Sequence, residues 1–354
     1  MTDRRQLAEA FLAAHGFAGA ARRPLPQDAS RRAYTRLAGG ALLMDAPAPE
    51  DVRPFLHVAR HLARIGLSAP KILAADAEAG FLLIEDFGEA THAMLLDTAP
   101  EAAQRLYGRA VETLAALHAA PPPPGLPAWD SAAMVVATAA TFRDWWWPAA
   151  FGAPASAAAA AGLARALTAM LAPFEGAGCF VHRDYFPANL LDLPDRAGPA
   201  GTGVIDFQDA AIGHPAYDLV SLVEDARRDV APAVRAAAIA RYLALRPELD
   251  PAGFTAAMAA LAAQRHLRVA ALWVRLALRD GKPGYLVHGP RCWAMLGRAL
   301  AHPACAPLAA FLDDAVPHHL RCNPRDMAPR MRDTAPSVPH LKFAAVRLPS
   351  ASGH

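Results

Sequence analysis

The chain has 354 residues, 54% of them hydrophobic, enough for two lobes or domains with sizeable cores. A formal net charge of +2, carried by dispersed arginines and few lysines, excludes a protein built to hold a polyanion, so neither nucleic acid nor an anionic membrane is an expected partner. Cys179, Cys292, Cys305 and Cys322 lie far apart with no C-x-x-C pair, which argues against a disulfide scaffold and for a cytoplasmic protein.

Met1 to Leu7 lead into a short amphipathic helix and lack the uninterrupted apolar run of an export signal. After a polar stretch, Gln27 to Tyr34, the runs Tyr34–Leu37 and Ala41–Met44 read as strands paired about Gly39-Gly40. A helix follows from about Phe55 to Ile65, then a strand at Phe81–Ile84 that ends in the acidic turn Glu85-Asp86-Phe87-Gly88. Beyond this turn the pattern is helical. Ala102–Ala119 is strongly periodic and stops at the prolines of 121–124, and the segments 149–174, 216–228, 232–245 and 254–278 continue the helical part. The alanine-rich 149–174 is the most apolar, but Gly152, Pro154 and Arg165 interrupt it and alanine adds little insertion energy, so a soluble helix is expected rather than a membrane span. From Pro317 onward the composition turns to Pro, Arg, Ser and His without periodicity, as in a mobile tail. The expected organisation is α+β, with a lobe over 1–88 built on a small antiparallel sheet, a larger, mainly helical lobe over 89–316, and a tail over 317–354.

One short run carries chemistry. His182-Arg183-Asp184-Tyr185-Phe186-Pro187-Ala188-Asn189 spells H-x-D-x-x-x-x-N, apolar Leu190-Leu191 follow, and a turn-rich stretch leads back to Val204-Ile205 and a second carboxylate, Asp206. Moving a γ-phosphoryl group needs a base or orienter at the acceptor hydroxyl and hard oxygen ligands for Mg²⁺ between the phosphates, with little covalent help. Asp184 suits the first task; Asn189 and Asp206 suit the second. His182 is expected to pack and bond inside the loop, and Asp218 to accept hydrogen bonds from the loop backbone, both as positioning groups. The pattern predicts a bilobal, protein-kinase-like fold that uses ATP and Mg²⁺. No A-P-E segment follows Asp206 and no lysine stands between Asp184 and Asn189, so the acceptor should be a small molecule rather than a peptide.

On this reading the segment before Tyr34 covers the phosphates. It lacks glycine, so Ser30, Arg31 and Arg32 are the expected phosphate donors. No lysine lies on the strand ending at Met44-Asp45, where a kinase pairs the phosphates, and Arg31, Arg32 or Arg36 is the expected replacement. Glu85, Asp86 and Phe87 form the expected hinge, meeting adenine through their backbone. Trp145-Trp146-Trp147 offers aromatic faces on which a sugar can stack, and Trp146, Asp209 and Arg228 are the expected acceptor contacts.

Leu114-Ala115-Ala116-Leu117-His118, His182-Arg183-Asp184 through Asn189, and Val204-Ile205-Asp206-Phe207 resemble the aminoglycoside phosphotransferase and choline kinase class. The similarity is closer to the bacterial N-acetylmuramate/N-acetylglucosamine anomeric 1-kinases of cell-wall recycling, on Gln27–Ser30, Leu43–Pro47, Asp144–Trp147, Asp206–Asp209, Gly213–Leu219 and Arg279–Pro283. That resemblance implies phosphorylation of an anomeric hydroxyl by ATP, with Asp184 as base and Asn189 and Asp206 on Mg²⁺, and it accounts for the missing strand lysine. Phe186-Pro187-Ala188 departs from the more polar stretch of those enzymes. Two other readings stay open. An aminoglycoside kinase would favour a dense acidic cleft, whereas Glu224, Asp225, Arg227, Arg228 and Asp229 mix their signs. A nucleotide-binding pseudokinase scaffold would have no chemical need for Asp184, Asn189 and Asp206 together.

Overall fold

The computed structural model describes residues 3–26, 31–176 and 178–324. In chain order the first elements are α1 (Arg4–Ala14), β1 (Arg22–Pro24), β2 (Ala33–Leu37), β3 (Ala41–Asp45), α2 (Arg53–Arg64), β4 (Ile72–Asp76), β5 (Phe81–Glu85), α3 (His92–Thr98) and α4 (Ala103–Ala119). Next come β6 (Ala128–Trp129), α5 (Ser131–Thr138), a π-helical stretch (Ala139–Trp146), α6 (Trp147–Phe151), α7 (Ala157–Leu171), β7 (Cys179–Val181), β8 (Leu190–Asp192), β9 (Thr202–Val204) and β10 (Ala211–Gly213). The remainder is helical: α8 (Ala216–Val223), α9 (Pro232–Leu245), α10 (Pro251–Asp280), α11 (Gly289–Leu300) and α12 (Ala306–Ala315).

The described residues form two compact units, one drawn from 3–126 and 178–258 and the other from 127–176 and 259–324. The first holds a five-stranded antiparallel sheet in the order β1-β2-β3-β5-β4. Gly39 and Gly40, at φ 105° and 78°, take the left-handed conformations that turn β2 into β3 and set the register from Leu37↔Ala41 to Ala33↔Asp45. Leu37, Ala41, Leu43, Phe81 and Leu83 bury one cluster with Phe11 and Leu12 of α1, a helix capped by the Asp3 carboxylate on Arg5 N–H. Two antiparallel pairs, β7 with β10 and β8 with β9, belong to the same unit, and α8 is buried along all its residues.

These units do not part near residue 88, where the sequence suggests a lobe boundary. The segments on either side of it are stitched together: Val204 N–H donates to Ser68 C=O at 2.8 Å, and Arg196 of the β8–β9 turn donates to the Glu85 carboxylate at 2.5 Å. The helix expected over 216–228 stops at Val223, and α6 is separated from α7 by Gly152 at φ 78°.

In the second unit Gly162 of α7 abuts Phe311 of α12, whose ring would lie 3.1 Å from an added Cβ. The stretch Ala157–Phe174 is long and apolar enough to cross a membrane, yet Leu163, Leu167, Met170 and Leu171 bury their side chains within the protein. Pro317 does not begin a detached tail. Cys322 C=O accepts the Trp146 indole N–H at 2.9 Å and Asn323 Nδ2 donates to Leu286 C=O at 2.6 Å, so the chain through these residues belongs to the packed unit. The rest of that expectation, 325–354, lies outside the described residues.

Candidate active site

Strand β7 delivers His182, and the loop beyond it stands on Asp218 of α8. The Asp218 carboxylate, fully buried, accepts His182 N–H at 2.6 Å and Arg183 N–H at 2.8 Å. Behind it, His118 Nε2 lies 3.3 Å from Asp218 Oδ2 and His118 Nδ1 lies 2.7 Å from the Tyr242 hydroxyl. Burial holds the His118 imidazole below its usual pKa against the pull of Asp218, so it is neutral. A carboxylate only accepts, so Nε2–H donates to Asp218 and the Tyr242 O–H donates to Nδ1. His182 works similarly within the loop: its Nε2 donates to Ile205 C=O at 3.0 Å while Nδ1 accepts Asp184 N–H at 3.3 Å. One imidazole thereby ties the loop to the segment that carries Asp206.

The β8–β9 pairing brings the Asn189 and Asp206 side chains together beside the backbone of Asp184. Leu190 faces Val204, and the ladder extends one step through Ile205 N–H to Asn189 C=O at 3.1 Å, so Asn189 and Asp206 emerge at the same end. Asn189 Nδ2 donates to Asp184 C=O at 3.0 Å and lies 3.5 Å from Asp206 Oδ2. Gln208 Nε2 holds the other Asp206 oxygen at 2.9 Å. Among the described residues, Arg183 and Asp206 are the non-glycine residues with positive φ, 74° and 61°. Such conformations cost about 1–2 kcal/mol each and persist because the surroundings over-determine them. Here those surroundings are Asp218 on one side and, on the other, Phe207, buried 4.7 Å from the Phe55 ring of α2.

Among the described residues, no three His, Cys, Asp or Glu side chains converge as a metal cage. Asn189 and Asp206 contribute hard oxygens, the donor type that Mg²⁺ takes when nucleotide phosphates and water complete its shell.

The expected nucleotide residues fare differently. Ser30 lies outside the described residues, and Arg31 is exposed. Arg32 Nε is 3.9 Å from Glu50 Oε2. Its neighbour Tyr34, whose hydroxyl burial pushes up to about 12, is hydrogen-bonded to Arg32 and senses the Asp206 charge. Arg36 is committed elsewhere: it donates to Asp86 Oδ1 at 2.9 Å and to Gly88 C=O at 2.9 Å, and it pairs with Glu89. Asp45, at the end of β3, accepts from Arg4 Nε at 2.7 Å, and Lys71 is exposed. Glu85 and Asp86 use their carboxylates on Arg196 and Arg36, and Phe87 lies against Gly203, where an added Cβ would fall 2.8 Å from its ring. Neither the N–H nor the C=O of Phe87 has a hydrogen-bond partner among the described residues.

The acceptor expectations need correction at two positions. Trp146 is fully buried, stacked on Phe142 at 4.6 Å with its N–H bonded to Cys322 C=O, so it presents no face to a sugar. Trp147 is buried as well and Trp145 is half-buried, because the π-helical winding brings consecutive side chains closer in direction than an α-helix does. Arg228 donates to Ala93 C=O at 3.0 Å and to Asp97 Oδ1 at 2.9 Å, which ties it to α3. Asp209 keeps an exposed side chain while its C=O accepts from Arg183 at 3.2 Å. Arg227 lies against the loop after β7, its guanidinium carbon 4.5 Å from the Phe186 ring centre. Nothing in the spacing distinguishes Arg227 from Arg228; only the unexplained Phe186 offered a hint.

A family model described as "Phosphotransferase enzyme family" matches residues 21–252. A protein of Caulobacter vibrioides named N-acetylmuramate/N-acetylglucosamine kinase is 38% identical over 90% of this chain and 99% of its own length. A relative of the same name from Pseudomonas aeruginosa is 36% identical over 82% of this chain and 87% of its own. Among solved structures, a choline/ethanolamine kinase family protein from Mesorhizobium loti superposes with a TM-score of 0.59 at 16% identity, covering 88% of this chain and all of that one. The GDP complex of aminoglycoside 2'-phosphotransferase-IIIa gives 0.57 at 14% identity, over 85% of this chain and 99% of its own. These structures share the α+β kinase-like fold with this chain.

Proposed function

Because the chain belongs to the phosphotransferase enzyme family, we propose that it is an ATP-dependent kinase for the anomeric hydroxyl of N-acetylmuramate, N-acetylglucosamine or both, acting in peptidoglycan recycling. The observation that carries this reading is near-full-length similarity to relatives bearing that name, at 30–38% identity. Asp184, Asn189 and Asp206 supply the chemistry in this reading, which is supported by Asn189 lying beside Asp206 and bonding the Asp184 backbone. Asp184 orients the acceptor hydroxyl and takes its proton as the oxygen bonds the γ-phosphorus and the bond to the departing ADP oxygen breaks. Asn189 and Asp206 would hold Mg²⁺ by their oxygens, and the ion would supply neutralisation of the nucleotide's phosphate charge. Arg32, braced by Glu50 and Tyr34, stands in for the strand lysine on the phosphates, and the Phe87 backbone edge receives adenine. His182 and Asp218 keep the loop in its left-handed turn and touch no substrate. The cysteines as thiols and the need for ATP fit a cytoplasmic enzyme.

The test is ATP-dependent phosphate transfer to N-acetylmuramate, N-acetylglucosamine and kanamycin, with Asp184→Asn alongside. Transfer to an amino sugar, with kcat reduced about 10²–10⁴-fold in the variant, is the expected result. Transfer to kanamycin alone would reassign the acceptor. Nucleotide binding without transfer to any of the three would leave a scaffold.

A further inference from the structure

We propose that Gln208 is a positioning residue for the metal ligand Asp206: it fixes the plane of that carboxylate, and the fold tolerates an orphaned buried acceptor to keep it there. The inference rests on the reading above, in which Asp206 holds Mg²⁺, and it assigns the group that orients this ligand. The Asp206 backbone is already set, at φ 61° with Phe207 buried behind it against the Phe55 ring. Its side chain is exposed, so packing does not choose among the rotations open to the carboxylate. Among the described residues two side-chain amides meet it, Asn189 Nδ2 at 3.5 Å and Gln208 Nε2 at 2.9 Å. The first distance is long for an N–H···O bond and the second is ideal, so Gln208 decides how the carboxylate faces. A turn closed by Ala210 N–H on Phe207 C=O at 3.0 Å brings the Gln208 side chain back to Asp206.

The other end of the same amide shows what this bond displaces. Gln208 Oε1 is buried and has no hydrogen-bond partner among the described residues. The amide cannot turn over to relieve it. A carboxylate only accepts, and a reversed amide would set oxygen against Asp206 Oδ1 where its N–H now donates. A buried carbonyl oxygen without a donor destabilises a fold, and an apolar side chain of the same length carries no such penalty. Packing therefore gives no reason for a glutamine at 208. The bond to Asp206 does, because groups that hydrogen-bond a metal's ligands orient them and strengthen binding.

Stability and metal affinity should separate in Gln208→Met, which keeps the length of the side chain and removes both ends of the amide. Binding of Mn²⁺ to the protein saturated with the β,γ-imido analogue of ATP, read from water-proton relaxation, should weaken about 10- to 100-fold. The melting temperature of the same variant should stay level or rise. Asp206→Asn, measured alongside, should weaken Mn²⁺ binding further. Binding that weakens in Asp206→Asn and is unchanged in Gln208→Met overturns the inference and leaves the metal reading standing. Binding unchanged in both variants overturns both. A melting temperature that falls in Gln208→Met makes Gln208 a structural residue and overturns the inference as well.

Discussion

Arg32, Arg36 and Arg228 carry the same side chain, and their neighbours give them different work. Arg36 meets the Asp86 carboxylate and the Gly88 carbonyl, so its charge is spent on holding the strand-end turn against β2. Arg228 is spent on α3. Arg32 sits near Glu50 and is hydrogen-bonded to Tyr34, and we propose that it takes the place of the phosphate-pairing cation that a kinase couples to a supporting glutamate. Arg32→Met should accordingly raise the KM for ATP about tenfold or more, the scale of one lost charge-assisted contact, with Arg32→Lys intermediate. Initial rates against ATP concentration check this, and an unchanged KM would remove Arg32 from the nucleotide site.

At the scale of elements, the loop after β7 is held by residues of α4, α8 and α9. Asp218 on α8 receives two loop N–H groups and is backed by His118 on α4 and Tyr242 on α9. Asp218→Ala strands those donors in a buried place and should cost about 2–5 kcal/mol in urea unfolding, with kcat falling as the loop loosens. His118→Phe removes one link further back and should cost less. Two other imidazoles, the buried His92 and the half-buried His214, make the fold acid-sensitive. Burial lowers His92, on α3, and His214, which accepts Ala216 N–H, to about 4 from 6.5. The unfolded chain binds protons at these sites below pH 6.5 while the folded chain does not until near pH 4, so stability falls as pH drops through that window. The full loss is about 3 kcal/mol for each imidazole. Urea midpoints should be clearly lower at pH 5.0 than at pH 7.5, and His92→Leu should flatten the difference; equal midpoints for the wild type would reject the account.

For the molecule as a whole, the interruption of the first unit by 127–176 matters more than a boundary near residue 88. The chain leaves the first unit after α4, builds α5 to α7, and returns to make β7 and the catalytic loop. The second unit closes late, with Asn323 lying on α11 where Gly289 leaves room for it. An added Cβ there would come 1.8 Å from Asn323 Oδ1, so Gly289→Ala must displace that side chain from its bond to Leu286 C=O. The expected cost is about 1–3 kcal/mol, read as a lower melting temperature. No change in melting would mean that these last described residues add nothing to the unit.

Local pattern alone was enough to pair β2 with β3 about Gly39-Gly40 and to bound α4, because each depends on residues a few positions apart and on periodicities that neighbours along the chain carry, and the motif run singled out Asp184, Asn189 and Asp206 as the proposed chemical groups. The short strands β1 and β4 carry too little pattern to read and exist through their sheet partners. Which arginine meets which carboxylate, which indole is buried, and where the compact units divide came only from the fold. A guanidinium is indifferent to its sequence neighbours and finds its partner across the structure, as Arg36 does with Asp86 and Arg227 with Phe186, so the pairing is a property of tertiary packing and not of the local run of residues.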